Sequence, residues 1–319
     1  PADTSTSPSR FSNDSDRCST VSFQRASSPP RPPISLAALE SCTLHCSALA
    51  SSAAFSSTAA LKLDKSSPIA KPPGASALSA TIGDVNGDGN LDIVAANSGV
   101  TNKVYVNPGA GAFSTVSPID IGTETDDTRA IAVDTFGTDL TIVTGNAGQT
   151  NKMYKVPGVL SQLASSTPTT VGTEADDTLS LTLADMDLDT QLDIVVTNDG
   201  MPVKVYTNPG SDDFSAVVPT LSTGGSADDA GTDAHFSLGL GDLDSNGYLD
   251  VIAGNQMFLN PGTTGVPGDF SAVEPYEFTQ LGEEVRSVAV VDIDLDGDQD
   301  VVFSVGTKVL VYLNPAGSM

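Results

Sequence analysis

The sequence predicts an all-β protein made of five stacked copies of one four-stranded antiparallel unit, and three observations carry that reading. Acidic loops begin at Asp84, Asp134, Asp185, Asp242 and Asp292, at spacings of 50, 51, 57 and 50 residues. A turn proline follows each loop, at Pro108, Pro157, Pro209, Pro261 and Pro315, four of the five as Asn-Pro-Gly or Asn-Pro-Ala. Three residues before each proline stands an aromatic, Tyr105, Tyr154, Tyr206, Phe258 or Tyr312, whose recurrence with the same flanks points to packing between units.

Within a unit the apolar residues follow the period of strands. A short first strand runs into the acidic loop ("RAIAV", "LSLTLA", "FSLGLG", "RSVAVV") and a β-branched second strand leaves it ("LDIVAAN", "LDIVVTN", "LDVIAGN", "QDVVFSV"). A third strand ends at the proline turn ("NKVYVNPG", "VKVYTNPG", "KVLVYLNP"), and a looser fourth follows ("FSTVSPIDIG", "FSAVVPTLS", "FSAVEPYEF"). A unit this small cannot bury both faces alone, so the units must stack, and radial stacking of such sheets is a β-propeller. The last unit stops after its third strand, while "AAFSSTAALKLDKSSPI" at 53–69 resembles "GAFSTVSPIDI" at 111–121. We therefore expect a five-bladed propeller over 54–319 whose last blade is completed by an N-terminal strand; a fragment of a seven-bladed propeller is the alternative.

Residues 1–53 are rich in Ser, Pro and Ala and carry Arg10, Arg17, Arg25 and Arg31, a composition suited to a presequence or disordered tail. All three cysteines, Cys18, Cys42 and Cys46, lie there; Cys42 and Cys46, with His45 between them, are followed by no second pair of the kind a four-ligand structural zinc site needs. Charge is uneven: residues 1–71 hold seven Lys/Arg and five Asp/Glu, leaving seven and 35 for the rest, so +2 and −28 sum to the net −26. Such a field repels phosphate backbones and attracts cations, so nucleic acid is not an expected partner. No stretch reaches the roughly 18 apolar residues of a membrane span, so no membrane insertion is expected.

Four acidic loops align from their first Asp. They read Asp84, Asn86, Asp88, Asn90, Asp92; Asp185, Asp187, Asp189, Gln191, Asp193; Asp242, Asp244, Asn246, Tyr248, Asp250; and Asp292, Asp294, Asp296, Asp298, Asp300. Positions 1, 3, 5 and 9 always offer a carboxylate or amide oxygen, and position 7 can offer its backbone carbonyl. Alternate side chains turned inward around a hard cation, with about seven oxygens, match calcium better than magnesium or zinc. Gly89, Gly247 and Gly297 at position 6 supply left-handed backbone; Thr190 stands there in the third unit, which predicts strain and a weaker site. The second unit is one residue short ("DTFGTDLTIV"), with Phe136 where a ligand belongs, and should be metal-free. An EF-hand would need a Glu at position 12 and flanking helices; Ala95, Val196, Ala253 and Phe303 stand there, inside strands.

These loops, with the "LDIV", "NKVYVNPG" and "FS" segments, resemble the FG-GAP/VCBS repeats of integrin-α-type β-propellers over residues 78–319. The resemblance implies up to four structural Ca2+ ions between the first two strands of a blade, and a module for cell adhesion or other protein interaction. A calcium-dependent lectin is the alternative, with a glycan as partner; the absence of Trp weighs against it, because sugar faces are usually held by aromatic rings. No enzyme is expected. His235 stands alone, and the pairs Asp126-Asp127, Asp176-Asp177 and Asp228-Asp229 recur at equivalent places, which marks turns before the next blade and not one active site. Loops of this kind suit an extracellular or cell-surface setting, or an organelle lumen, where calcium is abundant.

Overall fold

The computed structural model describes residues 76–109, 113–222, 237–278, 281 and 285–314. The tail, the 53–69 segment, the cysteines, His235, Asp228-Asp229 and Pro315 lie outside them.

Hydrophobic alternation resolves into five antiparallel sheets, each a simple meander. Sheet 1 holds β1 (Ser76–Gly83), β2 (Asp92–Ser98), β3 (Asn102–Tyr105) and β4 (Ile119–Ile121). Sheet 2 holds β5 (Thr128–Phe136), β6 (Asp139–Asn146), β7 (Asn151–Lys155) and β8 (Thr169–Val171). Sheet 3 holds β9 (Thr178–Ala184), β10 (Asp193–Asn198), β11 (Met201–Tyr206) and β12 (Thr220–Leu221). Sheet 4 holds β13 (Leu238–Gly241), β14 (Asp250–Ala253), β15 (Gln256–Phe258) and β16 (Tyr276–Glu277). Sheet 5 holds β17 (Val285–Val291), β18 (Asp300–Val305) and β19 (Lys308–Tyr312). The fourth strands are only two or three residues long, because the "FST" of the first unit turns as a short 3-10 segment, Phe113–Thr115, before the strand begins.

Successive sheets stack as propeller blades do, with first strands neighbouring one another: β1 lies beside β5, β5 beside β9, and β13 beside β17. The second strands explain the stack. In β10 every residue is buried, and alternate side chains serve opposite cores: Ile194 and Val196 pack with sheet 2, Val195 with sheet 4. A strand covered on both faces reads as a continuous apolar run, which is why "DIVV" shows no polar alternation. The recurring aromatics fill the same cores: Tyr154, Tyr206 and Phe258 are almost wholly buried. Polar latches accompany them. The Tyr154 and Tyr206 hydroxyls donate to Glu124 and Glu174 on the connections entering their sheets. Lys152 and Lys204 pair with Asp126 and Asp176 on those connections. The Asp126 and Asp176 carbonyls accept the Gly99 and Gly148 N–H groups of the preceding sheet, and the Asp127 and Asp177 carbonyls accept the Ala147 and Asp199 N–H groups of the sheet they enter, so these acidic pairs are turns that fasten one sheet to the next.

Four core clusters join the five sheets in sequence, and among the described residues none joins the fifth to the first. On the outer face of sheet 5, Val291, Ile293, Val311 and Leu313 stay between 43% and 52% exposed, while Val85, Met186 and Leu243, the counterparts of Ile293, are 4% exposed or less. The N-terminal strand expected on this sheet falls outside the described residues, so the sheet is three-stranded here.

In sheet 2 the acidic loop has collapsed to a tight hairpin, Phe136 opposite Asp139, with Gly137 left-handed. Phe136 is 1% exposed and stacks edge-on against Phe214, ring centroids 5.8 Å apart. Phe136→Ala should cost about 3–5 kcal/mol in chemical denaturation, whereas Val218→Ala, at an 84% exposed position, should stay within about 0.5 kcal/mol.

Candidate metal centres

Each of the four intact loops leaves the first strand of its sheet and returns into the second, from Gly83 to Asp92 in sheet 1 and from Gly241 to Asp250 in sheet 4. The loop's own backbone turns the acidic side chains inward. The position-1 carboxylate accepts the position-6 N–H in every copy, at 2.8 Å for Asp84 and Asp185, 2.9 Å for Asp242 and 3.1 Å for Asp292. The position-3 oxygen of Asn86, Asp187, Asp244 and Asp294 accepts the position-5 N–H. The position-5 oxygen of Asp88, Asp189, Asn246 and Asp296 accepts the position-7 N–H.

This frame requires left-handed backbone at position 6, where Gly89, Gly247 and Gly297 have φ of 86°, 91° and 103°. Thr190 adopts φ of 73° there, the strain expected of a β-branched residue. Position 4 is left-handed too, a feature the sequence concealed: Gly87 supplies it in the first loop, but Leu188, Ser245 and Leu295 adopt φ of 62°, 58° and 65°.

Positions 1, 3 and 9 converge. In Asp185/Asp187/Asp193, Asp242/Asp244/Asp250 and Asp292/Asp294/Asp300 one oxygen per residue lies within 4.8 Å of the others. In the first loop Asn86 takes the place of the third carboxylate. The side chains at position 7 stand outside the triads: Asn90 and Gln191 donate to Asp88 and Asp189, Tyr248 lies over Gly262, and Asp298 accepts from Ser245.

Position 9 does more than offer a ligand. Asp92, Asp193, Asp250 and Asp300 are fully buried. One oxygen of each accepts the N–H of loop position 2, from Val85, Met186, Leu243 and Ile293 at 2.7–2.9 Å. The other accepts the N–H of the Asn in the Asn-Pro turn, from Asn107, Asn208, Asn260 and Asn314 at 2.7–2.8 Å. Each carboxylate therefore ties the loop to the end of the third strand. These asparagines escaped the sequence reading, which took them as turn formers; their fixed spacing from each loop was the available signal.

Burial pushes Asp193 up to about 6 and Asp250 up to about 7, neighbouring loop carboxylates adding to the effect against the opposing backbone N–H groups. At Asp300, on the sheet with one neighbour, desolvation is outweighed by the N–H groups of Asn314 and Ile293, and its pKa is lowered. Clustered carboxylates repel one another, and Asp292 has a buried Oδ1 without a hydrogen-bond partner. An all-oxygen donor set with an orphaned carboxylate oxygen fits a hard divalent cation.

A family model of the FG-GAP-like repeat matches residues 65–137 and 185–253, spans that contain three of the four loops. Those two spans are FG-GAP-like repeats. No curated protein sequence matches it. Among solved structures, an Agrocybe aegerita lectin that recognises non-reducing terminal N-acetylglucosamine is 22% identical with a TM-score of 0.51, over 74% of this chain and 63% of the lectin. The V. cholerae biofilm matrix protein Bap1 is 14% identical with a TM-score of 0.46, over 74% of this chain and 38% of that protein. This chain thus spans less than two thirds of either, and the likeness to the lectin is one of fold. Among the described residues no helix is long and apolar enough to cross a membrane.

The metal-free FG-GAP-like sheets retain protons on Asp193 and Asp250 that the unfolded chain releases near the ordinary carboxylate pKa. The folded form then binds more protons than the unfolded one between pH of about 4 and about 7, and its stability falls as pH rises through that window. In chelator, the melting temperature should be higher at pH of about 5.5 than at about 7.5; the opposite order would rule out this burial of carboxyl groups.

Proposed function

We propose that the chain is a non-catalytic binding module whose blades are pinned by calcium, working outside the cell or in a calcium-rich lumen and presenting its surface to protein partners. The observation that carries this reading is the recurrence of one carboxylate cluster at the same place in FG-GAP-like units, Asp185/Asp187/Asp193, Asp242/Asp244/Asp250 and Asp292/Asp294/Asp300. Repetition favours a structural role, since an active site is needed once. Bound calcium would neutralise mutually repelling carboxylates and fix the turn between the first two strands. It would bind through positions 1, 3, 5 and 9, with loops 84–92 and 242–250, three carboxylates each, forming less charged sites than loops 185–193 and 292–300, four each. A net charge of −26 favours the cation further. Lys152 and Lys204 of the third strands are committed to Asp126 and Asp176 of the connections, which supports a scaffold role over acid–base chemistry.

A second reading is a glycan-binding module, favoured by the fold-level likeness to the Agrocybe aegerita lectin. A glycan array in calcium separates the two: a saturable hit, for instance on glycans ending in N-acetylglucosamine, would put the lectin reading first.

Calcium at about 100 times its Kd should stabilise the fold by about 2.7 kcal/mol per site, which corresponds to a rise in Tm of about 5 °C or more. Differential scanning fluorimetry with excess calcium or excess chelator measures it. Identical melts would sink the calcium reading.

A further inference from the structure

We propose that the three loops 185–193, 242–250 and 292–300 form one coupled metal-binding array, wired by Asn260 and Asn314, and that loop 84–92 binds independently. The inference rests on the metal reading above and adds to it a role for residues that touch no metal.

The wiring is an unbroken run of hydrogen bonds through the interior. Asp193 accepts the Met186 N–H at 2.8 Å, and the Met186 carbonyl accepts Nδ2 of Asn260 at 2.8 Å. The Asn260 N–H donates to Asp250 at 2.7 Å, whose other oxygen accepts the Leu243 N–H at 2.7 Å. The Leu243 carbonyl accepts Nδ2 of Asn314 at 2.7 Å, and the Asn314 N–H donates to Asp300 at 2.8 Å. Every side chain in this run is buried. Each asparagine thus holds the position-9 carboxylate of its own sheet with its backbone while its side-chain amide grips the loop of the preceding sheet.

The run stops at sheet 2. Nδ2 of Asn208 bonds within its own sheet, to the Leu192 carbonyl and to Asp212, because the preceding loop is the collapsed hairpin at Phe136. At the equivalent place sheet 2 has Val156, which lacks an amide side chain, so among the described residues no asparagine amide reaches the Val85 carbonyl of loop 84–92.

A cation in one loop draws its position-9 carboxylate into a fixed place. That carboxylate orders the position-2 residue through its N–H, the carbonyl of the same residue, in the following peptide unit, orders the asparagine amide, and the asparagine N–H fixes the next position-9 carboxylate. A ligand already held in place costs less to order when its own ion arrives. The sign of the coupling is positive. Through-space loss of negative field acts the other way, but salt screens it. A second, exposed link from the Ser245 hydroxyl to Asp298 joins two of the same loops and is open to water.

Terbium tests this on the full chain: Tyr105, Tyr206 and Tyr312 stand opposite residues adjoining the other position-9 aspartates, so the emission of loop 242–250 is read as the component that Tyr248→Phe removes, Tyr248 lying within that loop. Titrations run in about 0.5 M salt, where charge effects decay within a few ångströms. Asp294→Ala, which disables loop 292–300, should raise the emission midpoint of loop 242–250 about fivefold or more. In the Asn314→Ala background the same substitution should change the midpoint less than twofold, and Ser245→Ala should leave the coupling in place. Asp187→Ala with and without Asn260→Ala repeats the cycle from the other side and serves if Asn314→Ala does not fold by circular dichroism. An equal Asp294→Ala effect with and without Asn314, or no effect in either, overturns the relay while leaving the metal reading intact. No terbium emission together with no calorimetric calcium heat overturns the metal reading itself.

Discussion

A buried carboxylate that accepts two backbone N–H groups organises every metal-type unit of this protein. Asp92, Asp193, Asp250 and Asp300 each hold loop position 2 with one oxygen and the asparagine of the proline turn with the other. Three separate strands of a sheet are thereby tied at one end, and the loop between the first two is given its shape before any ion is considered. The arrangement is expensive in isolation, because a carboxylate removed from water loses solvation that two N–H donors only partly replace. A cation at the same carboxylate would supply the remaining compensation. Fold and metal site are in this sense one construction, and the loop cannot be altered at position 9 without loosening the sheet.

Sheet 2 shows what replaces that construction when it is lost. The position that pairs opposite Lys155 is Thr141 in place of an aspartate, the loop is reduced to a hairpin, and the Val156 N–H bonds to the Leu140 carbonyl. Phe136 enters the space between sheets 2 and 3 and meets Phe214. An apolar plug thus closes a unit that its siblings close with charge. The exchange removes the desolvation cost of the carboxylates along with their capacity to answer an ion, and it explains why the asparagine wiring between neighbouring loops begins only at sheet 3.

Much of this was legible in the sequence. Unit number, strand order and the acidic loops followed from spacing and period, since each depends on residue types that have few other uses at those intervals. The failure of the second loop was legible for the same reason, a missing residue and Phe136 at a ligand position; its conversion to an inter-sheet plug was not, because Phe214 is distant in sequence. Position 4 was hidden because Leu188 and Leu295 occupy left-handed backbone that glycine would normally announce. The asparagines were visible but misassigned: Asn-Pro-Gly is so natural a turn that nothing local requires its amide to reach the neighbouring loop. The fourth strands were overestimated because "FST" has strand composition yet bends at the edge of the sheet, where pairing is weakest.

The two ends of the stack are not equivalent in what holds them. Sheets 2, 3 and 4 have a core on each face, so their loops sit on a framework that packing alone supports. Among the described residues sheet 5 has a core on one face, leaves Ile293 and Val291 half exposed, and carries five aspartates in its loop with an Asp292 oxygen that has no hydrogen-bond partner among them. Among the described residues apolar burial is thin there and carboxylate repulsion strong, so on the metal reading proposed above the balance between them would depend on a cation at this sheet in particular. Local stability in a repeat stack is set by intrinsic terms and nearest-neighbour interfaces. With one core interface among the described residues and five aspartates in its loop, sheet 5 is where, on the metal reading proposed above, ion binding and folding would be most nearly the same event, and through Asn314 it is joined to the core of the sheet before it.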